Sequence, residues 1–138
     1  AVFDHRILPK ATGVKAGGEE PIVVFAAIAR TEDVQKQMDV VKHALGREPD
    51  SVDTGSVTLA NLTLAVPELT PPPNAGQHQP VALLDLGSER SELVVLLQGE
   101  PVFARTITFG TAGLPESARL LGRELKQSLA AWRATGGS

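Results

Sequence analysis

A run of prolines, Pro71-Pro72-Pro73, lies inside the segment Glu68–Pro80, with Asn74 and Gly76 close behind it. Proline fixes its own φ, lacks an amide donor, and pushes the residue before it out of the helical region. Neither a helix nor a central strand can run through such a stretch, so it reads as a linker, stiffened locally by the prolines. In a chain of 138 residues that leaves room for two small units. The division is placed here or slightly before. Residues 1–55 are expected to form a small sheet with one covering helix. Residues 56–138 are expected to hold a connecting helix, the Pro-rich linker at 67–80, and the start of a larger unit.

In the first part, Val2 to Leu8 carries the β-branched and alternating apolar residues of a strand. Ala11 to Glu20, with Gly13, Gly17 and Gly18, reads as an exposed loop. The unbroken apolar run Ile22 to Ala29 predicts a strand buried on both faces. Thr31 is the expected N-cap of a helix, with Glu32 and Asp33 in the turn where the helix dipole favours negative charge. Val34, Met38, Val41 and Leu45 fall on one face of it, and Met38 and Val41 are expected to be buried against the Ile22–Ala29 strand. Gly46 ends the helix in the left-handed C′ position, and Asp50 to Asp53 reads as a short extended piece.

In the second part, Val57 to Val66 predicts a helix with Ser56 as its cap and Pro67 as its stop. Val81–Leu86, Leu93–Leu97 and Val102–Phe109 predict three strands in an antiparallel meander, with a tight turn at Gln98-Gly99-Glu100. Pro115 fits the first turn of a last helix running to Arg133. Ala118, Leu121, Leu125, Ser128 or Leu129, and Trp132 form its inward stripe. Arg105 and Thr106 are polar positions on the otherwise apolar third strand, which reads as a strand with one wet face.

Composition narrows the function. The formal net charge is −3, from 13 basic and 16 acidic residues, and aromatics are 4%. A nucleic-acid surface needs a basic excess and stacking rings, so no nucleic-acid partner is expected. No apolar run approaches the ~18 residues of a membrane span, so no direct insertion is expected. There is no cysteine, hence no disulfide framework and no thiolate metal site. His5, His43 and His78 have no ligand spacing to one another, and no metal site is expected. Neither a Gly-x-Ser-x-Gly elbow nor a P-loop is present, and no catalytic residue is assigned. The start on Ala1-Val2-Phe3, without methionine, and the end just past a helix lead us to expect a piece of a longer protein.

One stretch could carry chemistry: Asp85-Leu86-Gly87-Ser88-Glu89-Arg90-Ser91-Glu92. A strand delivers Asp85 to a tight turn. Gly87 lets the backbone approach a ligand, turn N–H groups can face an anion, and Asp85 could hold Mg²⁺ through water. The plainer reading is a hairpin whose Asp accepts bonds from its own turn.

In order and spacing these pieces resemble the actin-like proteins of bacterial secretion and pilus machines. Those are the PilM family of type IV pili and the cytoplasmic region of the GspL family of type II secretion, with FtsA more distant. Val2–Leu8 looks like the strand that opens their small inserted β-α-β subdomain. Ile22–Arg30 and the helix ending Ala44-Leu45-Gly46 look like its central strand and helix. Ser51-Val52-Asp53 and the helix after it are similar to the return into the first large domain. Val81–Gly87 resembles the first strand of the second large domain, which in the family runs into the second phosphate loop. Val102–Gly110 looks like its third strand and the turn after it, and Leu121–Leu129 like the helix that follows.

The resemblance implies an α/β fold of mixed, α+β sheets: a fragment of an actin-like, RNase H-like scaffold. It implies a non-enzymatic role at the cytoplasmic face of the bacterial inner membrane, coupling the secretion or pilus ATPase to the platform proteins, with a homodimer as a further candidate assembly. The alternative it carries is an actin-like ATP-binding protein in which Asp85, Gly87 and Ser88 contact phosphate. After Ser88, nucleotide-binding members keep small or hydroxyl residues, whereas Glu89 and Arg90 stand here, and Glu89 would repel a phosphate. No cofactor is therefore expected for this fragment, with ATP and Mg²⁺ left to the full-length parent. GspL members often lack a working nucleotide site, which tilts the expectation toward that branch.

Overall fold

The computed structural model describes residues 1–8, 22, 24–69 and 79–135. The expected loop at Ala11–Glu20 and the Pro71-Pro72-Pro73 run lie outside these. The fold is mixed α/β, with three α-helices and two small antiparallel sheets among the described residues. The chain divides into two compact units, residues 1–54 and 55–138.

In the first unit, β1 (Val2–Ile7) pairs antiparallel with β2 (Val24–Ala29), Phe3 opposite Ile28, His5 opposite Ala26 and Ile7 opposite Val24. Of β2, Phe25 and Ala27 are half-buried, whereas Val24 and Ile28 are exposed. The apolar run was expected to be covered on both faces. A two-stranded sheet in so small a unit lacks the surface to do that.

Helix α1 (Thr31–Leu45) follows at once. Its N-cap is Arg30, in extended geometry, and Thr31 is the first helical residue. The expected threonine cap is therefore displaced by one position. Arg30 instead pairs with Asp33, Nε to Oδ2 at 2.7 Å. Gly46 closes the helix at φ +71, its N–H donating to the Lys42 carbonyl at 2.8 Å. Val34, Met38 and Val41 are half-buried, not buried as expected, and Leu45 is exposed. Asp50–Asp53 joins neither sheet, so the described order is β-β-α.

The second unit has three layers around one strand. β3 (Val81–Leu86), β4 (Ser91–Leu97) and β5 (Glu100–Ile107) form an antiparallel sheet in that order. The β4–β5 hairpin closes through Gln98 and Gly99 at φ +55 and +82. Positive φ at both loop positions matches the right-handed twist of the strands. Leu93, Val94, Val95 and Leu96 of β4 are all at most 3% exposed, so this strand is covered on both faces.

On one face lies α2 (Gly55–Ala65). It begins before Ser56, which is a buried residue of the first turn and not the cap expected. Its inward side is small, Ser56, Ala60 and Thr63 at spacings of four and three, and this lets the helix lie close. Ala60 packs with Val94 and Leu96. The Thr63 hydroxyl is satisfied by donating to the Ala60 carbonyl at 2.7 Å.

On the other face lies α3 (Ala118–Ala134), whose Leu121 packs with Leu93 and Ile107, flanked by Phe103, Leu125 and Leu129. Ser128, fully buried, donates to the Glu124 carbonyl. Arg105 of β5 reaches Glu124 at 3.6 Å, so it faces α3, while Thr106 is exposed on the opposite face. Pro115 was expected in the first turn of α3. The helix instead starts at Ala118, after a turn in which Ser117 N–H donates to Gly113 and Ala118 N–H to Pro115.

Candidate functional site

Asp85, Gly87 and Ser88 lie together at one end of the three-stranded sheet, where β3 turns into β4. Asp85 and Ser88 are exposed and Gly87 is half-buried. The turn is tight. A Cβ at Gly87 would meet the Arg90 carbonyl oxygen at 2.6 Å, so only glycine fits without a shift.

The turn is also clamped from the side. The Thr111 N–H donates to the Gly87 carbonyl at 2.9 Å, and the Ala112 N–H to the Ser88 carbonyl at 2.8 Å. The Ser91 hydroxyl donates to the Phe109 carbonyl at 2.7 Å. Gly110 makes the approach possible, because a Cβ there would run into the Gly87 and Ser88 carbonyl oxygens. Of this second segment the sequence marked only Gly110, as the turn after the third strand, and not Thr111 or Ala112.

The clamp orients the turn. In a trans peptide the N–H points opposite to the C=O. With the Gly87 and Ser88 carbonyls directed at Thr111 and Ala112, the N–H groups of Ser88 and Glu89 point away from that segment. Two successive outward N–H groups, the Ser88 hydroxyl and the Asp85 carboxylate form a set that could meet an oxyanion and its metal counter-ion.

The charge around it is acidic. Glu92 stands opposite Asp85 in the β3–β4 ladder. Burial, and then the negative charge of Asp85, hold the Glu92 carboxyl above its ordinary range. The Glu92 carboxylate lies against Gly55, the first residue of α2, so closely that a Cβ there would overlap Oε2. Glu89 adds a further exposed carboxylate to the turn.

Among the described residues, no group of three or more His, Cys, Asp or Glu side chains is arranged to hold a metal ion. His5 stacks on Phe3 with ring centroids 5.7 Å apart, and the His43 ring sits 2.7 Å from the Asp39 carbonyl. His78 lies outside the described residues. No helix among the described residues is long and apolar enough to cross a membrane.

Residues 3–120 match the family model described as "Type IV pilus assembly protein PilM". The match takes in β2, α1, α2, the three-stranded sheet with its Gly87 turn, and the start of α3. The curated proteins offer no match.

Proposed function

The chain belongs to the PilM family of type IV pilus assembly proteins, and we propose that it acts there as a scaffold. It would couple the motor ATPase to the platform proteins at the cytoplasmic face of the bacterial inner membrane, through protein–protein contacts that include a second copy of itself. The family match across residues 3–120 carries this reading, and it favours the pilus branch over the type II secretion branch. The acidic surroundings of the Gly87 turn support a role without nucleotide turnover, since Glu89 and the Asp85–Glu92 pair oppose a polyphosphate.

Co-purification tests it. Tagged chain, expressed with the pilus motor ATPase and platform proteins, should recover both kinds of partner. A folded chain that recovers neither would overturn the scaffold reading.

A second reading is supported by the outward N–H groups of Ser88 and Glu89. In it Asp85, Gly87 and Ser88 form a phosphate loop of the complete protein, with Asp85 holding Mg²⁺ through water. A few such contacts in this chain must offset a loss of freedom of ~4–15 kcal/mol on association. Calorimetric titration of ATP with Mg²⁺ should therefore give no micromolar binding. Micromolar binding that Asp85→Ala abolishes would favour the second reading.

A further inference from the structure

We infer that the outward face of α3 is a contact surface for anionic lipid, seated on negatively charged headgroups through Arg119, Arg123, Lys126 and Arg133. The inference rests on the membrane-face position in the scaffold reading, and names the surface of this chain that touches the bilayer.

The four cations follow one another at spacings of four, three and seven. At 3.6 residues per turn they share an arc of about 80° and run about 21 Å along the helix. All four are exposed. The opposite side of α3 carries Leu121, Leu125 and Leu129, which pack with Leu93 and Ile107, so the core fixes which side faces out. Three of the four cations lie past residue 120, where the family match stops.

The stripe has no counter-charge of its own. The one acidic residue of α3 is Glu124. It is half-buried and pairs with Arg105 of β5. Glu116 precedes the helix, and among the described residues it is paired with none of the four cations. The whole chain has a net charge of −3, so the stripe reverses the prevailing sign. At physiological salt, charges further off than about 8 Å are largely screened. An approaching surface therefore senses the stripe and not the net charge.

An apolar layer cannot cover this arc, because it would strip four charges of water with nothing to offset the loss. Whatever meets it is anionic. The composition of the arc favours lipid over protein. Protein interfaces draw their strength from buried aromatic and apolar anchors. The fifth residue of the arc is Ala130, which supplies no such anchor. A headgroup layer needs only positive charge held near it. The contact is adsorption without insertion, since the apolar side of α3 is already used in the core.

Vesicle flotation tests it. The 138-residue chain should float with vesicles of phosphatidylethanolamine and phosphatidylglycerol, be released by added salt, and ignore vesicles of phosphatidylcholine. Each Lys or Arg beside an anionic membrane tightens binding about fivefold, so the triple variant Arg119→Gln, Arg123→Gln, Lys126→Gln should bind about a hundredfold more weakly. Its far-ultraviolet circular dichroism should be unchanged. Should the triple variant misfold, Arg123→Gln alone should still lose about fivefold. Lys36→Gln, at an exposed position of α1, should bind as the parent does. No binding to the anionic vesicles, equal binding to the neutral ones, tighter binding to duplex DNA, or folded stripe variants that float like the parent would overturn the inference. A chain that ignores anionic vesicles, but whose triple variant no longer recovers the platform proteins, would assign the stripe to an acidic protein instead. Flotation is read without the pilus partners, so its failure leaves the scaffold reading standing.

Discussion

Glu92 faces Asp85 directly across the β3–β4 ladder, one carboxylate opposite another, with the first residue of α2 pressed against Glu92. The Glu92 carboxyl is held above its ordinary value of 4.5, first by burial and then by Asp85. An acid raised in the folded state adds stability while protonated, and that stability is lost as pH rises through its folded value. Glu92→Gln should therefore stabilise the second unit at neutral pH. Screening at a partly exposed site keeps the gain below about 1 kcal/mol. The advantage should shrink as pH falls toward 4.5, and thermal melts of both proteins across that window check it. A constant difference at every pH would show that the charge of Glu92 is irrelevant.

The core beneath α2 should be costly to empty. Leu96 is 3% exposed and packs with Val94 and Ala60. Leu96→Ala is expected to cost about 2–5 kcal/mol. Leu64→Ala, on α2 itself but 83% exposed, should change stability by less than about 0.5 kcal/mol. Urea unfolding of the two variants separates a packed face from an open one.

Two glycines should respond for different reasons. Gly110→Ala forces a methyl against the Gly87 and Ser88 carbonyls and should cost about 1–3 kcal/mol. Its amide spectrum should change at Thr111 and Ala112, which lose their acceptors. Gly99 has open space around it but sits at φ +82. Gly99→Ala should cost about 1–2 kcal/mol through backbone conformation alone and leave the Thr111 and Ala112 amides unmoved.

In the first unit, Met38→Asp places a carboxylate on the half-buried stripe of α1. A partly solvated site lets the charge reach water, so the cost should be about 1–3 kcal/mol, the low end for burying a polar group. Denaturant melts of the purified variant check it, and a neutral result would show that the α1 stripe is solvated.

Hydrophobic order along the chain made most of the fold legible. The runs at Val81–Leu86 and Leu93–Leu97 and the stripe through Leu121, Leu125 and Leu129 needed no tertiary information, because shortness and flanking turn residues mark the two strands and helical period marks the stripe. Gly46 was equally plain, since few residues other than glycine adopt its φ. What failed has specific causes. An apolar run such as Ile22–Ala29 looks the same whether a second layer covers it or not. The shift from Thr31 to Arg30 is the one-residue ambiguity inherent in helix ends. Pro115 tolerates a first helical turn and a preceding turn equally, and tertiary context chose the latter.

The candidate site was half legible. Strand, aspartate and glycine turn stand together in sequence, so Asp85, Gly87 and Ser88 could be named from it. The clamp from Thr111 and Ala112 is made by backbone N–H groups, which every residue but proline carries, and leaves no signature in residue type. Glu92 became a neighbour of Asp85 only once the turn length set the register.

The double cover on β4 has a consequence for motion. Amides of edge strands and helix ends exchange with solvent through small local openings, whereas those of a central, enclosed strand wait for the whole unit to come apart. Val94 and Val95, enclosed between α2 and α3, should thus keep their deuterium label longest. Their exchange rate is a direct gauge of the free energy that separates the intact second unit from its unfolded ensemble.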